Sequence, residues 1–543
     1  MTGTADGAGL WSAVGRALAV GVAWATVGVA ALGIAAPPDY RARSRRFRAY
    51  GARRADLRPW TPLADEGPAV AVPAPTPSRP DPLRPAPTLP APPSAPDFPP
   101  VSGPAPVAAP PLAVGYLILA AILAAGAWFY IRSAWPGIAH AGGFDHNAWE
   151  AAALLRGHVF TPTPPPGATL DMMYLHGHWA SFFPPMGAFL LLPLVWYYKN
   201  PLHVPVREFC ALIGTLCPLL VYQMAERAGL RLAVRLWLTA LFAFGTVFWY
   251  AVDTGSPWYY VQVVTEFFYL LTLRESFGKN RPALVGSLFG AALLSRNPVA
   301  LGLPFLFWRE RRFDVRRIAG FVLPVALAVG VQLWWNWART GNILDTGYSH
   351  IMMNPGFRAS FAQGMFSYKH IPWQIYSIFF LAPAFHGQSN FNGIWPYLSL
   401  SSTGQSLLLT TPAFLYALEG NIATRRVWLG SAAVLLTAIP QLLYYANGTG
   451  QFGNRFSLDY TPLLMALLIF GIGRRFRWQH AVLIAVSILL SGYGAVVAAR
   501  VRPVPPAWLH PALAAAPAAP VKAAAGTGLP AGACTDFPWL PQC

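Results

Sequence analysis

Two acidic side chains stand at the ends of long apolar segments, and carboxylates in that position are candidates for acid–base chemistry. Asp145 lies in G-G-F-D-H-N-A-W-E-A-A-A-L-L-R-G, and Asp253 lies in A-V-D-T-G-S-P-W. A carboxylate at a membrane edge is costly to keep, so each is a functional hypothesis. Either could take the proton of a hydroxyl group as a general base. The structural alternative is a helix cap or an ion pair, and the residues after Asp145 suit an N-cap.

Two arginines stand where they could bind a phosphate group. Arg296 occurs in L-L-S-R-N-P, at the tip of an apolar hairpin, and Arg455 occurs in the Gly-rich stretch Q-F-G-N-R-F-S-L-D-Y-T-P. The planar guanidinium group can donate hydrogen bonds to two phosphate oxygens at once. The alternative is an interfacial anchor or a salt bridge, and Asp459 follows Arg455 at a spacing suited to a helical ion pair. Further candidates of the same kind are Arg339, Arg358 and Lys369.

Histidines gather in the same polar segments. We expect His146 and His178 to contact a polar substrate. His176 and His178, with Asp171 upstream, could instead hold a divalent metal, but the spacing is loose and an H-x-H pattern is common by chance. We therefore predict no metal site and no cofactor, with a divalent metal as the alternative.

The composition indicates a polytopic membrane protein. Of the 543 residues, 55% are hydrophobic and only 11% are charged, whereas soluble domains carry about 25% charged residues. The net charge of +18 would suggest nucleic acid in a soluble protein. Here the basic residues fall in loops at one predicted membrane face, as the positive-inside rule requires, and no basic domain has its own core. We therefore predict membrane lipids as the surroundings and no nucleic-acid partner.

The apolar runs predict an all-α fold, with about eleven transmembrane helices in the core and one more near the N-terminus. Two further stretches, 186–198 and 373–385, are too short to span and are predicted to be interfacial or re-entrant. A hairpin over 283–308, broken at S-R-N-P, contributes two of the core helices. The other core helices are predicted over 112–131, 208–225, 236–252, 258–273, 318–337, 404–418, 427–446, 459–472 and 481–499.

The distribution of charge sets the orientation of these helices. If 112–131 runs outward, five loops that carry 16 Lys or Arg residues all face the cytoplasm, in agreement with the positive-inside rule. Counting 186–198 as a span would destroy that agreement, so we expect it to lie along the membrane outside. The cytoplasmic loops are then 226–235, 274–281, 309–317, 419–426 and 473–477. The large external loops are 132–207 and 338–403.

The segments that flank this core have a different composition. Residues 1–36 are predicted to include a transmembrane helix over 17–36, with a cleaved signal peptide as the alternative. Residues 37–111 begin with a basic cluster and continue, over 59–111, as a Pro/Ala-rich stretch with 20 prolines, typical of a disordered cytoplasmic linker. Residues 112–499 form the predicted catalytic core. The tail, 500–543, is predicted to be external, where Cys534 and Cys543 could form a disulfide.

Four motifs along 112–499 resemble those of the GT-C membrane glycosyltransferases, in particular bacterial relatives of the protein O-mannosyltransferases and aminoarabinose transferases. The first is Asp145 with A-x-x-L-L-x-G downstream. The second is H-G-H-W-A-S-F-F-P-P-M-G-A-F-L-L-L-P, and the third is the basic hairpin L-L-S-R-N-P. The fourth is Q-F-G-N-R-F-S-L-D-Y-T-P before a late helix. Their order and membrane side agree with the family pattern.

The resemblance implies a GT-C-like core with a large first external loop that carries juxtamembrane helices. It also implies catalytic carboxylates in the first two external loops, carried here onto Asp145 and Asp253, and a hairpin base that meets the carrier phosphate, carried onto Arg296. The chain departs from the family at two points. The mannosyltransferases have adjacent Asp-Glu where this chain has Asp145-His146, and the aminoarabinose transferases have Lys where this chain has Phe183. The sugar and the acceptor are therefore not transferable.

The function that these features favour is sugar transfer from a polyprenyl-phosphate carrier at the outer membrane face. The resemblance implies a polyprenyl-phosphate sugar as donor and a glycan, lipid or protein as acceptor. One alternative is a flippase or transporter of lipid-linked sugars, although no internal repeat of the kind common in transporters is visible. A ligase or polymerase of lipid-linked polysaccharide is a second alternative.

Overall fold

The computed structural model describes the part of the chain that contains the two candidate carboxylates, the arginines at 296 and 455, and His146, His178 and Lys369. The described residues are 112–132, 145–161, 171–175, 178–309, 314–351, 363–385, 398–399, 403–448, 451–472 and 476–497. The predicted N-terminal helix, the Pro/Ala-rich linker and the C-terminal tail with Cys534 and Cys543 lie outside these residues. So do Arg358 and His176.

Within the described residues the chain is predominantly helical, as the apolar runs predict. The first half contains α1 (Leu112–Arg132), α2 (His146–Leu155), α3 (Met186–Tyr198), α4 (Val206–Arg227), α5 (Leu232–Phe244), α6 (Phe248–Thr254), α7 (Pro257–Phe277) and α8 (Pro282–Leu293). The second half contains α9 (Val315–Thr340), α10 (Ile371–Phe379), α11 (Leu407–Thr410), α12 (Arg425–Leu443), α13 (Thr461–Gly471) and α14 (Trp478–Val497). The longer 3₁₀ helices are Asn297–Phe307, Pro412–Glu419 and Arg455–Asp459; one-turn 3₁₀ segments are Pro201–His203, Tyr348–His350 and Tyr368–His370.

Among these helices, four are long and apolar enough to cross a membrane. They are α4, α9, α12 and the Trp478–Ala495 part of α14. A fifth span results if α5 and α6, which meet at a bend of 46°, are counted as one. The membrane prediction is thus supported at the level of four to five spans, and the number eleven stays a prediction.

The break at S-R-N-P falls where the sequence predicts it, whereas another break falls inside a predicted span. The hairpin over 283–308 is α8 followed by the 3₁₀ helix Asn297–Phe307, with Ser295 and Arg296 at the break. The two stretches predicted to be too short to span are α3, of 13 residues, and α10, of 9 residues. The predicted span 404–418 is instead a short turn of α11 followed by the 3₁₀ helix Pro412–Glu419. A proline at the start of that 3₁₀ helix, Pro412, has no N–H to continue α11.

Two small antiparallel sheets are present that the all-α prediction does not include. Strands β1 (Met172–Leu175) and β2 (His178–Ser181) pair with Met172 opposite Ser181. Strands β3 (Ala384–Phe385) and β4 (Leu398–Ser399) form the second sheet. Strands of two to four residues are too short to show a clear period of two in the sequence, which explains why they were missed.

Helix α7 is the central element that positions the site. All of its residues except Trp258 are buried, and it packs against α4 and α8. A helix buried on every side must satisfy any polar side chain internally. The polar groups of α7 therefore face other parts of the chain rather than solvent.

Helices α8 and α9 approach each other closely through two glycines four residues apart. A Cβ atom on Gly286 would overlap the backbone oxygen of Phe321, and one on Gly290 would lie 2.8 Å from the Cβ of Ala328. This spacing of small residues is the usual way for membrane helices to bring their backbones together. The contact fixes the hairpin that carries Arg296.

Replacing Gly286 with alanine should therefore destabilise the protein. The added methyl group meets backbone, which cannot rotate away, so we expect a loss of about 1–3 kcal/mol. Thermal unfolding in detergent measures the effect. Gly330→Ala in α9 is the matched control, since a Cβ there meets no atom within 4 Å; equal melting temperatures for the two variants would contradict the close contact.

Candidate active site

Asp145 is the N-cap of α2, and its two carboxylate oxygens have different surroundings. Oδ1 accepts hydrogen bonds from the backbone N–H groups of Asn147, at 3.1 Å, and Ala148, at 3.2 Å. Among the described residues no hydrogen bond to Oδ2 is present. Desolvation raises the pKa of Asp145 to about 7, although the two backbone hydrogen bonds oppose the rise. Asp145 is therefore a helix cap that keeps one oxygen available as a base near neutral pH.

The next residue, His146, connects this carboxylate to a second acidic group. Its ring lies edge-on to Trp258, with the ring centroids 5.9 Å apart, and burial lowers the pKa of His146 to about 4, so the imidazole is neutral. The indole Nε1 of Trp258 donates to Oδ2 of Asp171 at 2.9 Å. Asp171 has a left-handed backbone with φ of 59°, which is uncommon outside glycine and favours Asp and Asn when it occurs.

Arg455 is the basic residue that acts on Asp171. The two side chains interact electrostatically, and burial raises the pKa of Asp171 against the effect of Arg455. The guanidinium of Arg455 lies over the rings of Tyr259, at 5.5 Å, and Phe456, at 5.1 Å. Gln262 of α7 donates from Nε2 to the backbone oxygen of Arg455 at 2.9 Å. The central helix thus holds the Arg455 backbone in place.

A tight turn allows Arg455 to occupy this position. Gly448 has φ of 96°, and a Cβ atom there would lie 2.7 Å from Nε of Arg455. Only glycine satisfies both requirements at no steric cost. The Gly-rich character of the sequence around Arg455 therefore has a direct structural reason.

Arg296 joins the same group through Phe456. Its guanidinium lies 5.8 Å from the centroid of the Phe456 ring, the ring that Arg455 also contacts. Its Nε and Nη2 donate to the two oxygens of Asp459, the second at 2.8 Å. The sequence offered Arg455 as the partner of Asp459, and the structure instead gives Asp459 this two-point pairing with Arg296.

Asp253 is buried near the end of α6. Asp145 and Asp253 both interact electrostatically with Cys210 of α4, and Asp253 also interacts with Arg207. Gly255, directly after α6, has a positive φ, and a Cβ there would lie 3.2 Å from Cγ of Arg207. The two predicted carboxylates therefore share Cys210 as a residue with which each interacts.

The other two predicted substrate contacts lie apart from this group. His178 is exposed in β2 and stacks on Phe160, with the ring centroids 4.2 Å apart. Lys369 is exposed in the 3₁₀ helix Tyr368–His370. Neither has a contact with Asp145, Arg296 or Arg455 among the described residues, so both stay predictions without geometric support.

The sequence did not single out the buried contact between Arg339 and Glu150 beside the loop before α3. Arg339 near the end of α9 donates from Nη1 to the backbone oxygens of Ser181 and Phe183, the second at 3.1 Å. The same Nη1 atom lies 3.7 Å from Oε1 of Glu150 in α2. Arg339 is therefore a structural latch and not a group that could meet a phosphate from outside.

Two buried acids, Glu150 and Glu266, were also missed. Glu150 follows His146 by one helical turn, a spacing that puts both on the buried face of α2. Glu266 is fully buried in α7 and interacts electrostatically with Asp459. The available signal was the acidic residue within an apolar run, which marks a functional hypothesis in a membrane helix.

The described residues contain no group of three or more His, Cys, Asp or Glu side chains that could hold a metal ion. Asp171, the proposed alternative ligand, is bonded to Trp258. His176, the other residue of that alternative, lies outside the described residues.

No known family model, curated protein or solved structure with which the chain was compared matches it. The resemblance to GT-C enzymes therefore rests on the four motifs alone.

Glu150 should make stability depend on pH. Desolvation raises its pKa from an ordinary value of 4.5 to about 8, with Arg339 opposing. Because the folded-state pKa is the higher one, the stabilising contribution is complete below about 4.5 and is lost as pH rises through about 8. Glu150→Gln should therefore flatten the fall of the melting temperature between pH 5 and about 9. Identical pH profiles for the wild type and the variant would contradict this assignment.

Proposed function

We propose that this protein is a membrane glycosyltransferase that moves a sugar from a polyprenyl-phosphate carrier to an acceptor hydroxyl. The acceptor is a glycan, a lipid or a protein, and the reaction takes place at the outer membrane face. The proposal includes the GT-C-like arrangement, the predicted eleven core spans and the external position of the first loop. Asp145 is the general base.

The observation that carries the proposal is a line of neighbouring groups from one carboxylate to two guanidinium groups, linked by the chain itself, by ring and hydrogen-bond contacts and by one electrostatic interaction. It runs from Asp145 through its neighbour His146 to Trp258, then through Asp171 to Arg455. Phe456 extends it to Arg296. Sugar transfer from a lipid phosphate needs a base for the incoming hydroxyl and positive charge for the departing phosphate. These are the two kinds of group that the line joins.

The chemistry follows from this arrangement. Oδ2 of Asp145 takes the proton of the acceptor hydroxyl, and the hydroxyl oxygen attacks the anomeric carbon. The bond from that carbon to the phosphate oxygen breaks, and its electron pair stays on the phosphate. Arg455 stabilises the new negative charge through its planar fork. Since one displacement occurs in line, the configuration at the anomeric carbon inverts.

Arg296 contributes differently, because Asp459 already occupies its guanidinium. Of the two arginines, Arg455 is therefore the one assigned to the carrier phosphate, and Arg296 fixes the segment that bears it. Asp253, buried beside Arg207 and Cys210, is assigned to orientation of the acceptor region and not to proton transfer.

Asp145→Asn should abolish most of the transfer while the fold is retained. Asn is as good an N-cap as Asp, so the helix cap survives and only the base is lost. We expect a rate at least about 100-fold lower, the usual lower bound for a general base. The measurement follows label from radiolabelled polyprenyl-phosphate sugars to a cell-envelope extract with protein in liposomes.

Asp314→Asn is the matched control for this substitution. Asp314 caps α9 in the same way, with Oδ1 accepting from the N–H groups of Arg316, at 3.1 Å, and Arg317, at 3.4 Å. Its change should leave transfer unaltered. Full activity of Asp145→Asn would show that Asp145 is only a helix cap and not the general base. If the wild type and Asp145→Asn both move the labelled lipid between leaflets without forming a glycosidic bond, the flippase alternative would be favoured.

The rate of transfer should rise with pH through the neutral range. Asp145 acts as a base only when ionised, and its pKa is raised to about 7 by desolvation. Between pH 6 and pH 8 the single-turnover rate should therefore follow one ionisation with a midpoint near 7. A flat profile, or one that falls over this range, would exclude Asp145 as the base.

A further inference from the structure

A groove on the side of the helix hairpin opposite to the Arg296 break has no part in the proposed reaction. It is lined by the apolar side chains of Pro282, Val285, Leu306, Phe307, Ile318 and Phe321, with Asn280 and Arg317 at one end. The groove is shallow and open to the surface. It lies where α8, the 3₁₀ helix Asn297–Phe307 and the start of α9 meet.

The apolar part and the polar end of this groove are clearly separated. Phe321, Val285 and Leu306 form a buried apolar floor. At the polar end Arg317 donates from Nη2 to the backbone oxygen of Asn280 at 3.2 Å. An apolar slot with a cationic mouth fits an amphiphile with an anionic head and an alkyl chain.

The segments that adjoin the polar end carry a net positive charge. In the described parts of 275–281 and 309–317 there are five basic residues, Lys279, Arg281, Arg309, Arg316 and Arg317, against the acids Glu275 and Asp314. Both acids are engaged: Glu275 forms a two-point ion pair with Arg281, and Asp314 caps α9. These segments are also the loops that the sequence assigns to the cytoplasmic face, where the leaflet is rich in anionic lipid.

We infer that this groove binds an anionic phospholipid of the cytoplasmic leaflet, with one acyl chain lying along the groove and the phosphate at Arg317. The lipid would join α8 to α9 and so support the hairpin that carries Arg296. The inference is independent of the proposed transfer reaction, because the groove and the carrier site lie at opposite ends of the hairpin.

Lipid binding to the purified full-length protein tests the inference. Native mass spectrometry in detergent would compare phosphatidylglycerol with phosphatidylcholine of the same acyl chains. The expected result is retention of phosphatidylglycerol alone. Arg317→Gln should weaken binding about fivefold, the effect of one cation near a lipid head group.

Arg316→Gln is the matched control, since Arg316 is the exposed neighbour of the half-buried Arg317; its affinity should stay within about twofold of the wild type. Ile318→Trp, which fills the groove and leaves every charge in place, should also weaken binding. Equal binding of the two lipids, or equal affinities of the Arg317 and Arg316 variants, would overturn the inference. If Arg317→Gln does not fold, Ile318→Trp is the deciding variant. An unchanged affinity of Ile318→Trp for phosphatidylglycerol would then overturn the inference.

Discussion

The two-point ion pair between Arg296 and Asp459 is the interaction on which the candidate site depends. It joins the break of the helix hairpin to a 3₁₀ helix 163 residues later in the chain. Both side chains are largely removed from solvent, and loss of one partner of such a pair leaves a buried charge at a cost of about 3–5 kcal/mol. Because Asp459 ends the 3₁₀ helix that Arg455 begins, the pair also fixes where Arg455 and Phe456 lie.

Desolvation is the second constraint, and it shapes the chemistry on the carboxylate side. Two backbone N–H groups stabilise the ionised form of Asp145, yet the pKa is still raised to about 7. The cap and the base are therefore compatible functions of one side chain. Oδ1 holds the helix, and burial gives the carboxylate the basicity that a proton acceptor at neutral pH requires. Arg339, which also contacts Glu150, holds the backbone of the loop before α3.

The sequence predicted much of this arrangement, for identifiable reasons. Long apolar runs predict helices well, and the S-R-N-P break placed Arg296 correctly because proline cannot continue a helix. The partner of Asp459 was not predictable, since spacing of four favours Arg455 and only the tertiary fold brings Arg296 near. The Glu150–Arg339 pair was missed for the same reason: its members are 189 residues apart in the numbering. His178 was chosen for its type, and the structure places it on Phe160.

A map of the protein bound to a polyprenyl monophosphate, determined by electron cryomicroscopy in a lipid nanodisc, would test this account without any assumption about the sugar. We expect phosphate density in contact with the guanidinium of Arg455, on the side of that residue facing Asp145, while Arg296 stays paired with Asp459. Phosphate density at another surface, with Arg455 still packed only on Tyr259 and Phe456, would contradict it.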